Sequence, residues 1–400
     1  MTDPGKKLDK TIYFDNAATT KMKPPAVVRA VTDALSGLGN AGRGAASSSL
    51  GASRIVYEAR EELAGLFGAR SAKHIAFAAN STEALNTAIS GLIPEGGHVI
   101  TTVMEHNSVL RPLYRLRRDR GVSLTVLPAD ERGNISLAEL EKAVLPATRA
   151  VVITHGSNLT GNLNDLGRIG EICAEKGIRL IVDASQTAGI YPINVEEMHI
   201  SALCFTGHKS LFGPQGTGGI AVGSDLVTSD GKCLITPLKV GGSGIHTFDE
   251  EHPDELPTAL EAGTQNAHGL AGLLAGVKFI KETGPEVIRE KEDRLACRFY
   301  EGVKDLPGVI LYGDMRPWSG GTGMRAPIVS LNIDDYDSAR VGDVLYTEYG
   351  IETRCGGHCA PLMHASFGTV EQGMVRFSFS YYNTEEEVDA AIRAMREICR

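Results

Sequence analysis

No stretch of this sequence reaches about 18 consecutive apolar residues, the length a membrane-crossing helix needs. The opening MTDPGKKLDK lacks the apolar run of a secretory signal, so a cytoplasmic chain without membrane attachment is expected. Positive charge is not in excess. The formal net charge of −9 argues against nucleic acid or an anionic membrane as partner. Arg111, Arg115, Arg117, Arg118 and Arg120 do gather, but at helical spacing they read as a solvated helix face. A disulfide framework is missing too. Cys173, Cys204, Cys233, Cys297, Cys355, Cys359 and Cys399 are odd in number and scattered, which reads as free thiols, most of them small buried fillers. No internal repeat and no long low-complexity segment appears. No G-x-G-x-x-G follows the first strand expected, which argues against a dinucleotide-binding dehydrogenase.

What is present is an alternation. Helices are expected over residues 55–67, 82–92, 107–118, 137–143 and 166–176, after a loop at the Ser47–Ser49 run. Strands are expected over 74–78, 98–103, 123–127, 150–154 and 178–182, then two closer ones at 202–205 and 218–222. This pattern implies an α/β fold, a mainly parallel sheet with helices on both faces. Short apolar runs such as RLIV suit strands buried on both sides. Past Gly263 the texture changes. Helices at 269–281, 286–301 and 384–398 bracket short strands at 328–331 and 374–379. The expected division is a large domain over 15–268 and a smaller α+β domain made of 1–14 and 269–400.

Several strand ends carry polar residues. Lys209, in Thr206-Gly-His-Lys-Ser-Leu-Phe-Gly213, follows a strand and precedes a glycine-rich turn. A surface lysine is the ordinary reading. The crowding by Thr206, His208 and Ser210, and glycines that permit close backbone approach, weigh against it. A Schiff-base lysine needs such a setting, with partial desolvation to lower its pKa. Its cofactor, pyridoxal phosphate (PLP), needs a carboxylate at the pyridine nitrogen. Asp183 ends the run 177–182, where ligands sit in open α/β sheets. It would equally serve as a helix N-cap. Asn80-Ser-Thr-Glu83 offers amides and the hydroxyls of Ser81 and Thr82 for a phosphate, or a plain helix cap. His106 would stack on a ring or be structural, and Asn158 again follows a strand. The coincidence of four such strand ends on one sheet edge weighs more than any single motif.

Segments in the order Tyr13-Phe-Asp-Asn-Ala-Ala-Thr-Thr20, Asn80-Ser-Thr-Glu-Ala-Leu-Asn86, Met104-Glu-His-Asn107, Val182-Asp-Ala-Ser-Gln186, Gly207-His-Lys209, Glu261-Ala-Gly-Thr264 and Arg354…His-Cys-Ala360 resemble the class V aminotransferases. The resemblance is to their cysteine desulfurase and selenocysteine lyase branch, and covers about residues 10–398. It implies a PLP-dependent transferase of fold type I, a homodimer with a seven-stranded sheet and a site near the dimer interface. It assigns Lys209 as the cofactor-bearing lysine, Asp183 to the pyridinium nitrogen, Gln186 to the ring oxygen and His106 to the ring face. Ser81, Thr82, Thr206 and His208 would hold the phosphate, with Thr264 reaching it from the partner subunit. Asn158 would contact cofactor or substrate. Arg376 would grip the substrate carboxylate, a task that suits a bidentate guanidinium, with Arg354 assisting.

Cys359 matches the nucleophilic cysteine of that branch. It would take sulfur from L-cysteine (or selenium from selenocysteine), releasing alanine and feeding a sulfur-acceptor protein, as in iron–sulfur cluster assembly. Such a thiol should be accessible and biased toward thiolate by Arg354 or His358. The loop Arg354-Cys-Gly-Gly-His-Cys-Ala-Pro-Leu-Met-His364 departs from better-known members by its second cysteine, its single histidine before the nucleophile, and His364. Cys355 reads as a bystander, with sulfur relay as the alternative. No metal site is expected from the Cys355, His358 and Cys359 grouping. Competing activities are transamination, another β-elimination, or a sulfur-carrier scaffold with little turnover.

Overall fold

The structure, a computed structural model, describes residues 11–39, 47–321 and 323–400. Residues 1–10, expected in the small domain, and the glycines at 42 and 44 beside the serine run lie outside the described residues.

In chain order the strands are β1 (Ile12–Tyr13), β2 (Ile75–Ala78), β3 (His98–Thr102), β4 (Ser123–Leu127), β5 (Thr148–Thr154), β6 (Arg179–Asp183), β7 (Ala202–Thr206), β8 (Gly218–Val222), β9 (Val309–Tyr312), β10 (Ile328–Ile333), β11 (Ile351–Glu352), β12 (Arg354–Gly356) and β13 (Met374–Ser378). The longer helices are α1 (Pro25–Gly37), α2 (Ser47–Phe67), α3 (Ser81–Leu92), α4 (Asn107–Arg120), α5 (Leu137–Ala143), α6 (Leu166–Lys176), α7 (Ala267–Thr283), α8 (Pro285–Val303), α9 (Ser338–Tyr349), α10 (Pro361–Ser366) and α11 (Glu385–Ile398). The serine run 47–49 is thus the first turn of α2, not a loop. Helix-tolerant residues from Leu50 onward extend the helix back through it.

The main sheet has seven strands in the order β2-β8-β7-β6-β5-β3-β4. Neighbours from β7 to β4 run parallel, while β8 is antiparallel to both β7 and β2. Two reversals cancel, so β2 points the same way as β7. All strands but β8 therefore deliver their C-terminal ends to one edge. Alternation buries both faces. On β6, Leu180 and Val182 join a core with α2, α6 and α7, while Ile181 joins one under α3 and α4. Arginines 111, 115, 117, 118 and 120 line the exposed side of α4, as their spacing predicted.

A four-stranded sheet, β12-β13-β10-β9, carries α8, α9 and α11 over a separate core that includes Phe14, Phe299, Leu331, Phe377 and Met395. Helix α7, grouped by its sequence texture with this smaller body, buries Leu270, Leu273 and Val277 in the large body's core. Strand β1 pairs with β11, so the N-terminal segment starts on the small body before crossing to the large one. None of the described helices is long and apolar enough to cross a membrane.

Candidate active site

A cavity of about 300 Å³ opens at the shared strand edge, lined by Ser81, Thr82, His106, Asn158, Asp183, Gln186, Thr206, His208 and Lys209 among others. Nine residues singled out from the sequence thus meet in one place. Each arrives by a strand end: Ser81 and Thr82 after β2, His106 after β3, Asn158 after β5, Asp183 on β6 with Gln186 after it, and Thr206 on β7 with His208 and Lys209 after it.

Lys209 stands in a tight turn. Gly207 accepts from Gly213 N–H and donates to Thr217 O, both at 2.8 Å. A Cβ at Gly207 would meet Thr217 Oγ1 at 2.1 Å, so only glycine lets the turn close. The close approach is to the Thr217 side chain. The Lys209 amine makes no hydrogen bond among the described residues. Burial pushes its pKa from 10.5 to about 8, against the opposing pull of Asp183 and with help from Arg376; Asp15 and Cys359 also act on it. Those four groups surround the amine electrostatically.

Asp183 is 2% exposed and accepts the Ser185 N–H at 2.9 Å, with the Ser185 hydroxyl on the same oxygen. His106 caps α4: its Nδ1 accepts the Ser108 N–H at 3.0 Å. Burial holds its pKa below the usual value, so the ring is a neutral imidazole with its proton on Nε2. At the start of α3, Asn80 caps Glu83 N–H, leaving the Ser81 and Thr82 amides at the positive end of the helix. His208 is also held neutral, pushed to about 4 by burial and by Lys209 and Lys23.

Gln186, Asn158 and Arg376 already have protein partners. Gln186 Nε2 donates to Ala17 O at 3.0 Å, leaving one amide hydrogen for a ligand. Asn158 Nδ2 donates to His358 O at 2.8 Å, so this side chain anchors the cysteine loop. Arg376, 3% exposed, donates from Nη1 to Asn158 O at 2.9 Å and pairs through Nη2 with Asp15 at 2.5 Å. Thr264 is exposed and lines a different cavity, with Phe77 and Lys239. Its loop is pinned by a buried pair in which Arg60 meets both oxygens of Glu261, at 2.7 and 2.8 Å.

Cys359 is exposed, and its carbonyl accepts the Asn107 N–H at 2.8 Å. His358 is not the cation expected beside it. It is 5% exposed, and burial, with Arg376 nearby, drives its pKa down to about 3. The exposed Arg354 is the remaining cation on that loop. Cys355 is half-buried, packs on the small core, and burial raises its pKa. A Cβ on Gly342 would lie 2.2 Å from its sulfur, so Cys355 fills that notch. Of the cysteines only Cys173 and Cys204 are fully buried; Cys233, Cys297 and Cys399 are half-exposed, because they sit at the margins of the cores. No metal-holding cluster of His, Cys, Asp or Glu occurs among the described residues.

Sequence reasoning quoted the segment 13–20 without using Asp15 or Thr20, and did not single out Lys23. Asp15 reaches Arg376, Thr20 Oγ1 donates to Lys209 O at 2.9 Å, and Lys23 Nζ donates to His208 O at 2.8 Å. It also passed over Glu105, fully buried, whose Oε1 accepts from Thr102 Oγ1 at 2.7 Å and Thr154 N at 3.2 Å. Asp15, Thr20 and Glu105 lie inside the quoted motifs, which was their signal; Lys23 lies outside them.

The doubly wound sheet, the lysine turn and the carboxylate facing it define the architecture of the fold-type-I PLP enzymes. The chain belongs to the aminotransferase class V family, whose profile matches residues 12–391. It is 35% identical to a probable cysteine desulfurase of Methanothermobacter thermautotrophicus, over 97% of this chain and 94% of that one. The apo structure of a cysteine desulfurase from Thermococcus onnurineus superposes with a TM-score of 0.88 at 32% identity, over 97% of this chain and 94% of that one. A cysteine desulfurase structure from Escherichia coli gives a TM-score of 0.85 at 27% identity, with the same shares covered.

Proposed function

We propose that this chain is a PLP-dependent cysteine desulfurase that converts L-cysteine to L-alanine and keeps the sulfur as a persulfide on Cys359. One observation carries the reading. An exposed cysteine is bonded through its own carbonyl, and through that of His358, to residues that line or adjoin the lysine cavity.

The residues present fit the cofactor: a buried amine of depressed pKa, a buried carboxylate, and a helix start with two hydroxyls. Lys209 would hold PLP as an imine, and Asp183 would keep the proton on its ring nitrogen. Ser81, Thr82, Thr206 and His208 would hold the phosphate, the last as a neutral imidazole. Gln186 has an amide hydrogen for the ring oxygen, and neutral His106 offers a flat face to the ring. When bound, the cofactor supplies an electron sink next to the substrate amine.

Arg376 would grip the substrate carboxylate, positioned by its bond to Asn158 O, with Arg354 beside the loop. The Cys359 thiolate attacks the substrate sulfur. A sulfur–sulfur bond forms as the carbon–sulfur bond breaks, and its electron pair stays on the substrate carbon. Protonation of that carbon yields alanine; the Lys209 amine, freed from the cofactor by the substrate, would deliver the proton.

Thr264 lies away from the cavity of its own chain, which supports a homodimer in which it serves the partner's phosphate. The exposed Cys359 suits transfer to a protein acceptor. Incubation with L-cysteine should give alanine and a gain of about 32 Da, one sulfur atom, on the peptide bearing Cys359. Pyruvate in place of alanine, or an unmodified Cys359 peptide, would refute the proposal.

A further inference from the structure

Arg376 sits where a free charge is costly. Its side chain is 3% exposed, and a buried guanidinium without a counter-charge is strongly disfavoured. Asp15 supplies that counter-charge, but through one oxygen only: Oδ1 meets Nη2 at 2.5 Å, and Oδ2 has no hydrogen-bond partner among the described residues. On the other side of the guanidinium, Nε is buried with no hydrogen-bond partner among the described residues. The arginine is therefore paired in charge and under-used in hydrogen bonds.

The Asp15 backbone is held in place. It bridges to Ser378, Ser378 N–H donates to Phe14 O at 2.7 Å, and the Asp15 carbonyl accepts the Tyr13 hydroxyl at 3.0 Å. The side chain is held by Arg376 and is 16% exposed. Both Asp15 and Arg376 act electrostatically on the Lys209 amine, which places the pair beside the reacting centre.

We propose that Asp15 is a resident counter-ion that the substrate carboxylate displaces from Arg376, so that Asp15 sets the affinity for the amino acid. The inference rests on the reading of Arg376 as the carboxylate clamp. A free carboxylate brings two oxygens to a guanidinium that Asp15 holds with one, and bidentate pairs are the stronger kind. One anion arrives as the other swings off, so the guanidinium is never left buried without a partner charge. The exchange weakens apparent binding by the fraction of time the clamp is free. If Asp15 holds it about nine-tenths of the time, the apparent dissociation constant is raised about tenfold.

The test uses the PLP-loaded protein with Asp15→Asn, Asp15→Ser, Asp15→Glu and Arg376→Gln. KM is measured for L-cysteine, and L-alanine is titrated against the absorbance of the bound cofactor. Melting temperature is read with and without L-alanine. Asp15→Asn and Asp15→Ser should lower KM and the L-alanine dissociation constant by up to about tenfold, while Asp15→Glu should not. Both neutral variants should melt lower without L-alanine and gain more from adding it than the parent does. A KM that rises or stays unchanged in the neutral variants, while Arg376→Gln raises KM, overturns the counter-ion role and makes Asp15 a fixed strut. If Arg376→Gln leaves KM and L-alanine binding unchanged, the clamp reading itself is wrong and this inference goes with it.

Discussion

The carbonyl of Cys359 lies 2.8 Å from the amide nitrogen of Asn107, the residue that follows His106. Loop and cavity wall are thus joined by backbone at the proposed nucleophile. His358 and Cys359 have φ of 50° and 55°, a left-handed conformation that non-glycine residues seldom adopt. Each costs on the order of 1–3 kcal/mol and persists only where surroundings impose it. A chain of side chains does so here. The carbonyl of Arg354, 3.1 Å from His358 Nε2, can only accept, so that nitrogen carries the proton. His358 Nδ1 then accepts from His364 Nε2 at 3.5 Å, and His364 Nδ1 accepts from the Thr369 hydroxyl at 2.8 Å.

Breaking that chain should loosen the thiol without emptying the substrate site. His364→Ala should lower the rate of persulfide formation about tenfold, equivalent to about 1.4 kcal/mol, with KM little changed. His364→Gln, which keeps a donor for His358, should recover part of the loss. Rapid-quench persulfide yields and steady-state KM check both.

Removal of the proposed nucleophile itself should be silent in stability. Cys359→Ser should cut alanine production about 100-fold or more while stability stays within about 0.5 kcal/mol, because the side chain is exposed. Amino-acid analysis of the product and a urea melt are the measurements.

Cys355→Ala should do the reverse. Its sulfur fills the notch over Gly342, so truncation should cost about 1 kcal/mol. Turnover with L-cysteine should persist, and the sulfur mass gain should stay on the Cys359 peptide. A loss of transfer on this substitution would revive Cys355 as a relay.

Glu105 makes stability depend on pH. Burial, with a smaller push from Asp183, raises its carboxyl from 4.5 to about 8. Between those values the folded state binds a proton that the unfolded state releases, so this group's contribution falls as pH rises from about 4.5 to 8. Glu105→Gln keeps the shape and removes that slope. Compared with the parent it should gain about 3 kcal/mol at pH 7 relative to pH 4. Chemical denaturation at the two pH values reads the difference.

Much of the large body was legible because its strands are short apolar runs closed by polar residues, as with Ile178–Val182 before Asp183. The lysine turn, the helix start at Ser81 and the parallel order follow from that local pattern. Helix α1 escaped, because it opens on Pro24-Pro25, which reads as a breaker, and buries little beyond Val27 and Ala34. The Asp15–Arg376 pair escaped for another reason: its members are 361 residues apart, and nothing local marks either as half of a pair. The charge of His358 was misjudged because burial, which lowers its pKa, is a tertiary property.

The crossing of residues 12–20 from one body to the other has a mechanical consequence. Ile12 is locked in register with Ile351, and Thr20 is tied to the Lys209 turn. From Ile12 to the Asp15 bridge, before the turn at 16–18, the chain is extended and its side chains alternate in direction, so one residue added or lost there would turn the Asp15 carboxylate away from its guanidinium. The count of residues along this short tether is itself a dimension of the active site.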